Sequence, residues 1–461
     1  MSSDAQPQSD SGGRSAGVSS NPKARRWLLV FAVLILCSIP FFRSYGLRDR
    51  PLEEDEIYWT GQAYYFHLAV EQHDWKNPDW QLLPSRENPV LGKYVIGLGL
   101  RLAGLQVTKA DWLGIFYIIA KDRPNAWGNA QDQAERRAVL DRMEPATREA
   151  ALLHDQFDYP IEYALAGRAL MLCFGVVSVV LVFVLTALYT KPVMAFIAAA
   201  LFALHPAVVA AYTEVGVDIL AMAFSLAAVI SFVLIERGVW RRSARPKLYR
   251  ALICGGGAMA VAFAVGSKMN AAVVGFLGTA MALGFIASWL RRRSVEARDS
   301  AVTMILLLFI SLVVFVVTNP LNYPNPVAGI RTVYAAAQHS LEVQKGIPAV
   351  HHALRSASER LHALAELTAL QPALFGVVVA AFVFLVVADR RAEKPIFVIT
   401  LWWVIAVVMV TAWLPFARAR YLLPVIAPSV ILVCGAGERL VELLRRRTRP
   451  TTETVRAGSS S

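Results

Sequence analysis

Four consecutive acids, Glu53 to Glu56, open the stretch "EEDEIYWTGQAYYFHLAV" and directly precede an aromatic-rich run. Thirty residues on, "RENPVLGKY" sets Glu87 and Lys93 on either side of a proline. Asp218 stands in "TEVGVDILAMAF", Arg168 in "LAGRALMLCF", Lys268 in "VGSKMNA", and Arg418, Arg420 and Tyr421 in "PFARARYLLP". A carboxylate can take a proton from a hydroxyl or help hold a divalent cation, and Lys or Arg can neutralise a phosphate as it leaves. These types suit chemistry on a phosphate-bearing substrate. On that reading Asp55 and Glu56 are the catalytic candidates, and Glu87 and Asp218 orient an acceptor or a metal, with Asp55 and Glu87 the pair that could hold the ion. Lys93, Arg168, Lys268, Arg420 and Tyr421 meet the phosphate. The plain alternatives are a solvated acidic loop for the acids and long basic side chains snorkelling to a membrane surface. Asp218 is too short to snorkel, so a functional role is the stronger expectation for it.

The elements around these residues are greasy. The chain has 461 residues, 56% of them hydrophobic and only 17% charged, with a mean hydropathy of +0.46. Soluble domains carry about 45–50% apolar and about 25% charged residues. The composition predicts an all-α polytopic membrane protein. Its net charge of +12 lies in short Lys/Arg clusters between apolar runs, the pattern of cytoplasmic loops rather than of a nucleic-acid-binding face. The four cysteines all lie in apolar runs, which supports neither a disulfide framework nor a CxxC metal site.

Residues 1–24 read as a disordered tail running into a basic start. "KARRWLLVFAVLILCSIPFF" then reads as an uncleaved first span, since no small-residue cleavage site follows. Nine more runs of spanning length lie near 164–189, 194–211, 215–235, 250–267, 271–290, 301–318, 372–388, 396–415 and 421–442. With the N-terminus inside, nearly every basic cluster, from "ERGVWRRSARPKLYR" to "RRRTRP", falls on the cytoplasmic side. The expectation is about ten transmembrane helices within 25–442, both termini cytoplasmic, and a basic, then disordered tail over 443–461. Two external loops result, 43–163 and 319–371. The first holds 19 of the chain's 34 acids and 14 Lys/Arg. Within it, 89–105 is apolar but short and carries Lys93 and Arg101, so it reads as an amphipathic helix at the interface. If it crossed instead, every later basic cluster would switch sides.

The ordered set "DEIYWTGQAYYFHLAVEQHDW…ENPVLGKY", Arg168, Asp218, "SKMNA" and "RARYLLP" resembles the GT-C class of membrane glycosyltransferases. The likeness is to protein O-mannosyltransferases and the lipid A aminoarabinose transferase, the glycosyltransferase 39/83-like group. It covers 25–440 as architecture and only short motifs as sequence. Asn88 and Val90 depart from the usual proline pair, and the polar insertion 106–160 is long. The resemblance implies an external active site in the plasma or inner membrane and a donor sugar on polyprenyl phosphate whose tail lies between spans. It further implies Asp55 as base, inversion at the sugar carbon, and a protein, lipid or glycan acceptor. A nucleotide cofactor is not expected: "CGGGAMAVAFAVGSK" lies within a span and lacks phosphate-loop spacing, so its glycines read as helix-packing positions. Two readings of other classes compete. A secondary transporter would use Asp218 and Lys268 for coupling but should show two related halves, and the sequence shows no repeat. A non-enzymatic binding protein would need no buried Asp218, Arg168 and Arg420.

Overall fold

The computed structural model describes residues 22–81, 85, 86, 88–109, 111, 112, 159–323, 325–345, 354, 356–369, 372–388, 396–414 and 416–448. Glu87, most of the insertion 106–160 and the outer parts of both tails lie outside the described residues.

Every regular element among the described residues is helical. In chain order the main helices are α1 Pro22–Arg43, α2 Glu54–Gly61, α3 Leu91–Leu102, α4 Ile161–Ala187, α5 Pro192–Leu204, α6 Pro206–Thr213, α7 Asp218–Glu236 and α8 Pro246–Ser267. They continue with α9 Ala272–Arg292, α10 Val295–Thr318, α11 Pro326–Lys345, α12 Ala357–Ala369, α13 Pro372–Ala388, α14 Phe397–Trp413 and α15 Leu423–Thr448. Six helices among the described residues are long and apolar enough to cross a membrane, and the number rises to eight if each of two bent pairs is one span. Val30–Arg43 and Phe397–Trp413 are shorter apolar helices. This is the build of a polytopic helical membrane protein.

The run 194–211, expected as one span, is two helices. Pro206 cannot continue the hydrogen-bond ladder of α5, and the chain bends by 63° into α6. His205 caps the break: its Nδ1 accepts from Ala207 N at 3.2 Å. Helix α7 packs on α4 and α8, α8 on α10, and α15 on α5, α13 and α14. The three glycines 255–257 sit in the middle of α8. Only Gly257 is at a close contact, where a Cβ would lie 2.6 Å from Leu307 Cδ1.

Helix α3 has 12 residues and is about 18 Å long, too short for a hydrocarbon core of about 30 Å. It lies against α4, α8 and the segment after α2. Two glycines allow the approach. A Cβ on Gly97 would fall 2.2 Å from Phe66 Cβ, and one on Gly92 would fall 2.5 Å from Val217 Cγ1. The aromatic run expected as one interfacial helix is broken into α2, a turn at Tyr64–Phe66 and a π-helix over His67–Glu71. Its tyrosines form a small core: Tyr64 stacks on Trp112 and donates to Asp79 at 2.7 Å, and Tyr65 packs on Trp80.

The two ends of the bundle differ. At one end Arg241 donates to Glu296 O, Arg250 to Thr303, and Lys191 N to Glu438. The opposite end carries α2, α3, the α6–α7 turn, Lys268 and the segment before α15.

Candidate active site

Each polar side chain at that end is delivered by a helix terminus. Helix α8 stops at Ser267, and Lys268 turns into extended backbone before a short 3-10 turn at Met269–Ala271. Asp218 is the first residue of α7, directly after the turn that follows α6. Arg418 is extended, Ala419–Leu422 form a 3-10 turn, and Pro424 suits the start of α15. Asp55 sits in the first turn of α2.

These four elements meet. Asp55 Oδ2 accepts from Arg420 Nη2 and pairs with Arg418 Nη1 at 3.5 Å. Lys268 Nζ donates to Asp218 Oδ1, and its ammonium lies 4.9 Å from the Tyr421 ring centre. Arg420 lies over the same ring at 5.8 Å. A cleft of about 280 Å³ is lined by Asp218, Lys268, Asn270, Arg420 and Tyr421 together with apolar side chains of α7 and α15. Burial pushes the Asp55 carboxyl up, but Arg420, Arg418 and Lys268 together outweigh it and hold the group below the ordinary aspartate value. Asp55 nonetheless keeps 43% of its side chain exposed, so an incoming molecule can reach it.

Glu56, expected to share the catalytic role, is turned the other way. Successive residues of a helix point about 100° apart, so one acid faces the cleft and the next faces the bundle. Glu56 is fully buried, Oε1 accepting from Arg168 Nε at 2.7 Å and Val215 N at 2.9 Å, Oε2 from Arg168 Nη2 at 2.6 Å and Glu53 N at 3.1 Å. Arg168, expected on the phosphate, is equally committed. It is 1% exposed and also donates to the carbonyls of Leu47, Arg50 and Pro51. This pair clamps the loop after α1 to α4 and to the α6–α7 turn. Both side chains are buried and bonded to each other and to the backbone, and neither lines the cleft. Lys93 is also fully buried, its Nζ 5.0 Å from the Tyr65 ring centre, and it does not line the cleft. Glu87 lies outside the described residues. No cluster of three His, Cys, Asp or Glu side chains suited to a metal occurs among the described residues.

Sequence reasoning passed over Glu214, at the end of α6. Burial, with the charges of Glu53 and Glu56, pushes its carboxyl above the ordinary glutamate value against the pull of Arg420 and Arg50. An acid in a turn between two apolar runs, four residues before Asp218, was the available signal. It also passed over Arg418 as a partner of Asp55, although "ARAR" shows it.

No protein-family model matches the chain, and no curated protein does. Among solved structures the chain is similar to the archaeal oligosaccharyltransferase AglB from Archaeoglobus fulgidus, described in complex with an inhibitory peptide and a dolichol-phosphate. The TM-score is 0.47 and the identity 12%, over 92% of this chain and 51% of that one. The chain therefore spans about half the length of that protein, and a likeness of this degree assigns no residue and no activity.

Proposed function

We propose that this chain is a membrane glycosyltransferase of the GT-C type. It moves a sugar from a polyprenyl-phosphate donor to an acceptor hydroxyl, with inversion, at an active site on the external face of a ten-crossing bundle. The observation that carries the reading is that Asp218, Lys268, Arg420 and Tyr421 line one cleft at the end of an apolar bundle, with Asp55 bonded to Arg420 and paired with Arg418 beside it. Three cations and two carboxylates beside lipid-facing helices suit a phosphodiester whose tail stays in the membrane. Charges this close to the membrane are costly to place without a use.

The geometry supports an order of events. In the free protein Asp55 is paired with two arginines and is a weak base. A donor phosphate offers Arg420 and Lys268 a better anion, because guanidinium and phosphate pair through charge-assisted hydrogen bonds. Released from Arg420, Asp55 becomes more basic and takes the proton of the acceptor hydroxyl. The oxygen attacks the sugar carbon opposite the phosphate, the carbon–oxygen bond to phosphate breaks, and its electron pair stays on the phosphate oxygen. Asp218 holds Lys268 in place during the exchange. Donor binding thus activates the base, which limits wasteful proton transfer in the empty site.

A transporter remains the second reading, because Asp218 and Lys268 are paired at a helix break. Arg418, Arg420 and Asp55 have no part in such a coupling site, and this favours the enzyme. The two separate on incubation with a panel of undecaprenyl-phosphate sugars. Release of undecaprenyl phosphate supports transfer, and binding or transport without donor cleavage rejects it.

A further inference from the structure

A second cleft lies at the same end of the bundle, and it takes no part in the steps assigned to Asp55, Arg420 and Lys268. It has a volume of about 200 Å³ and opens between the π-helix His67–Glu71, the last turns of α3 and the segment after them. His67, Glu71, Arg101 and Gln106 form its polar side, and Phe66 and Leu105 its apolar side. The polar groups hold one another. Glu71 Oε1 pairs with Arg101 Nε at 3.0 Å, and Glu71 Oε2 accepts from Gln106 Nε2 at 2.9 Å and lies 2.5 Å from His67 Nδ1. Gln72 Nε2 lies 3.0 Å from His67 Nε2. This is not a buried clamp like that of Glu56: Arg101 keeps 54% of its side chain exposed and Glu71 keeps 22%. π-Helices are rare and often mark functional sites. Here one sets His67 and Glu71 on the same side of the cleft.

Helix α3 links this cleft to the catalytic one. At its first turn a Cβ on Gly92 would lie 2.5 Å from Val217 Cγ1 and 3.4 Å from Ser267 Cα, and these two residues directly precede Asp218 and Lys268. Arg101 stands nine residues beyond Gly92, about 14 Å along the helix. Helix α2, with Asp55 in its first turn, packs on α3 as well. We propose that the second cleft is an acceptor subsite for a neutral sugar unit, so that the acceptor is a glycan laid along α3 with its reacting hydroxyl at Asp55. The inference rests on the glycosyltransferase reading and names its acceptor. Arg101 and Glu71 cancel in charge, which suits a ligand without net charge. The carboxylate accepts hydrogen bonds, the guanidinium donates them and the amide of Gln106 does both, which matches hydroxyl groups that also do both. Peptides are captured along sheet edges, in long apolar or aromatic grooves, or on clusters of arginine. Among the described residues this cleft offers one arginine, already paired, and one phenyl ring. Its small size seats the hydroxyl-bearing edge of a single sugar ring.

The test uses the full chain in detergent, undecaprenyl-phosphate mannose, glucose, galactose and arabinose as donors, and mannotriose, maltotriose, cellotriose or a Ser/Thr-containing peptide as acceptor. At least one trisaccharide should bind in calorimetry and speed the release of undecaprenyl phosphate with saturation. Gln106→Ala and Arg101→Met should each raise KM and the calorimetric Kd for that trisaccharide by roughly 10–150-fold, the loss of one hydrogen bond to a charged group, with donor affinity retained. Arg101→Lys, which keeps the charge and a donor, should recover part of the loss, which a merely structural role does not require. A KM that neither variant moves, transfer to the peptide in preference to every trisaccharide, or no trisaccharide binding overturns the subsite, while donor cleavage keeps the glycosyltransferase reading. If wild-type protein cleaves none of the donors, that reading fails. Trisaccharide binding that Gln106→Ala weakens then still supports a sugar site in this cleft, and no binding overturns it.

Discussion

Glu56→Gln separates a structural acid from a catalytic one at adjacent positions. Glutamine keeps the size of the side chain but removes its charge and turns one acceptor into a donor. In the native protein the carboxylate accepts four hydrogen bonds, two of them from a guanidinium that is 1% exposed. The substitution leaves Arg168 buried and charged without a counter-ion, facing only neutral acceptors that include the carbonyls of Leu47, Arg50 and Pro51. It also turns an amide hydrogen toward either the guanidinium or a backbone N–H. Breaking one side of a buried pair costs about 3–5 kcal/mol, which is about 10²–10⁴-fold in the ratio of folded to unfolded protein. Tryptophan fluorescence during unfolding of detergent-solubilised protein measures it. The double variant Glu56→Gln/Arg168→Met should recover part of the loss, since it removes the orphaned charge. A Glu56→Gln protein as stable as the wild type would refute the clamp, and one of full stability but without activity would return Glu56 to the chemistry.

Three other expectations follow from the same geometry. Arg420→Gln should weaken binding of an undecaprenyl-phosphate sugar by roughly 10–150-fold, the worth of a charge-assisted hydrogen bond of about 1.5–3 kcal/mol, read by competition binding; unchanged affinity would take Arg420 off the phosphate. Cysteines placed at Arg101 and at Arg245 should label from opposite sides of sealed vesicles, Arg101 from outside, and labelling of both from one side would break the ten-crossing topology. Because Asp55 has a depressed folded-state pKa, its contribution to stability is present in full above the ordinary aspartate value and is lost progressively as pH falls below it and through the lower folded value. The stability difference between wild type and Asp55→Asn should therefore hold through mildly acid pH, and a loss already at that stage would contradict the arginine pairing.

Much of the helical framework was legible because apolar runs between basic clusters leave the backbone few other solutions in lipid. Pro206 announced its own break, yet a run of apolar residues on both sides of it still read as one span. The convergence of Asp55, Asp218, Lys268 and Arg420 could be anticipated from their types and their common end of the bundle. Which way each acid of "EEDE" turns could not, because a 100° rotation per residue becomes meaningful only once α2 is docked. The partner of Glu56 lies 112 residues away, and nothing local in "LAGRALM" says whether Arg168 meets a substrate or a buried carboxylate. Lys93 was chosen by charge, and its burial under Tyr65 depends on the close approach of α3 that Gly92 and Gly97 permit. Glu214 escaped notice because it stands in a turn between two greasy runs, where an acid reads as an ordinary loop residue.

The central claim is that Asp55, paired with Arg420 and Arg418 beside the cleft, takes the acceptor's proton during sugar transfer from a polyprenyl phosphate. The most direct measurement is release of undecaprenyl phosphate by Asp55→Asn beside wild type, with binding of the same donor followed in parallel. The account predicts cleavage by the wild type, a loss of about 10²–10⁴-fold in Asp55→Asn, and donor affinity retained, since Arg420 and Lys268 remain. Full turnover in Asp55→Asn would contradict it.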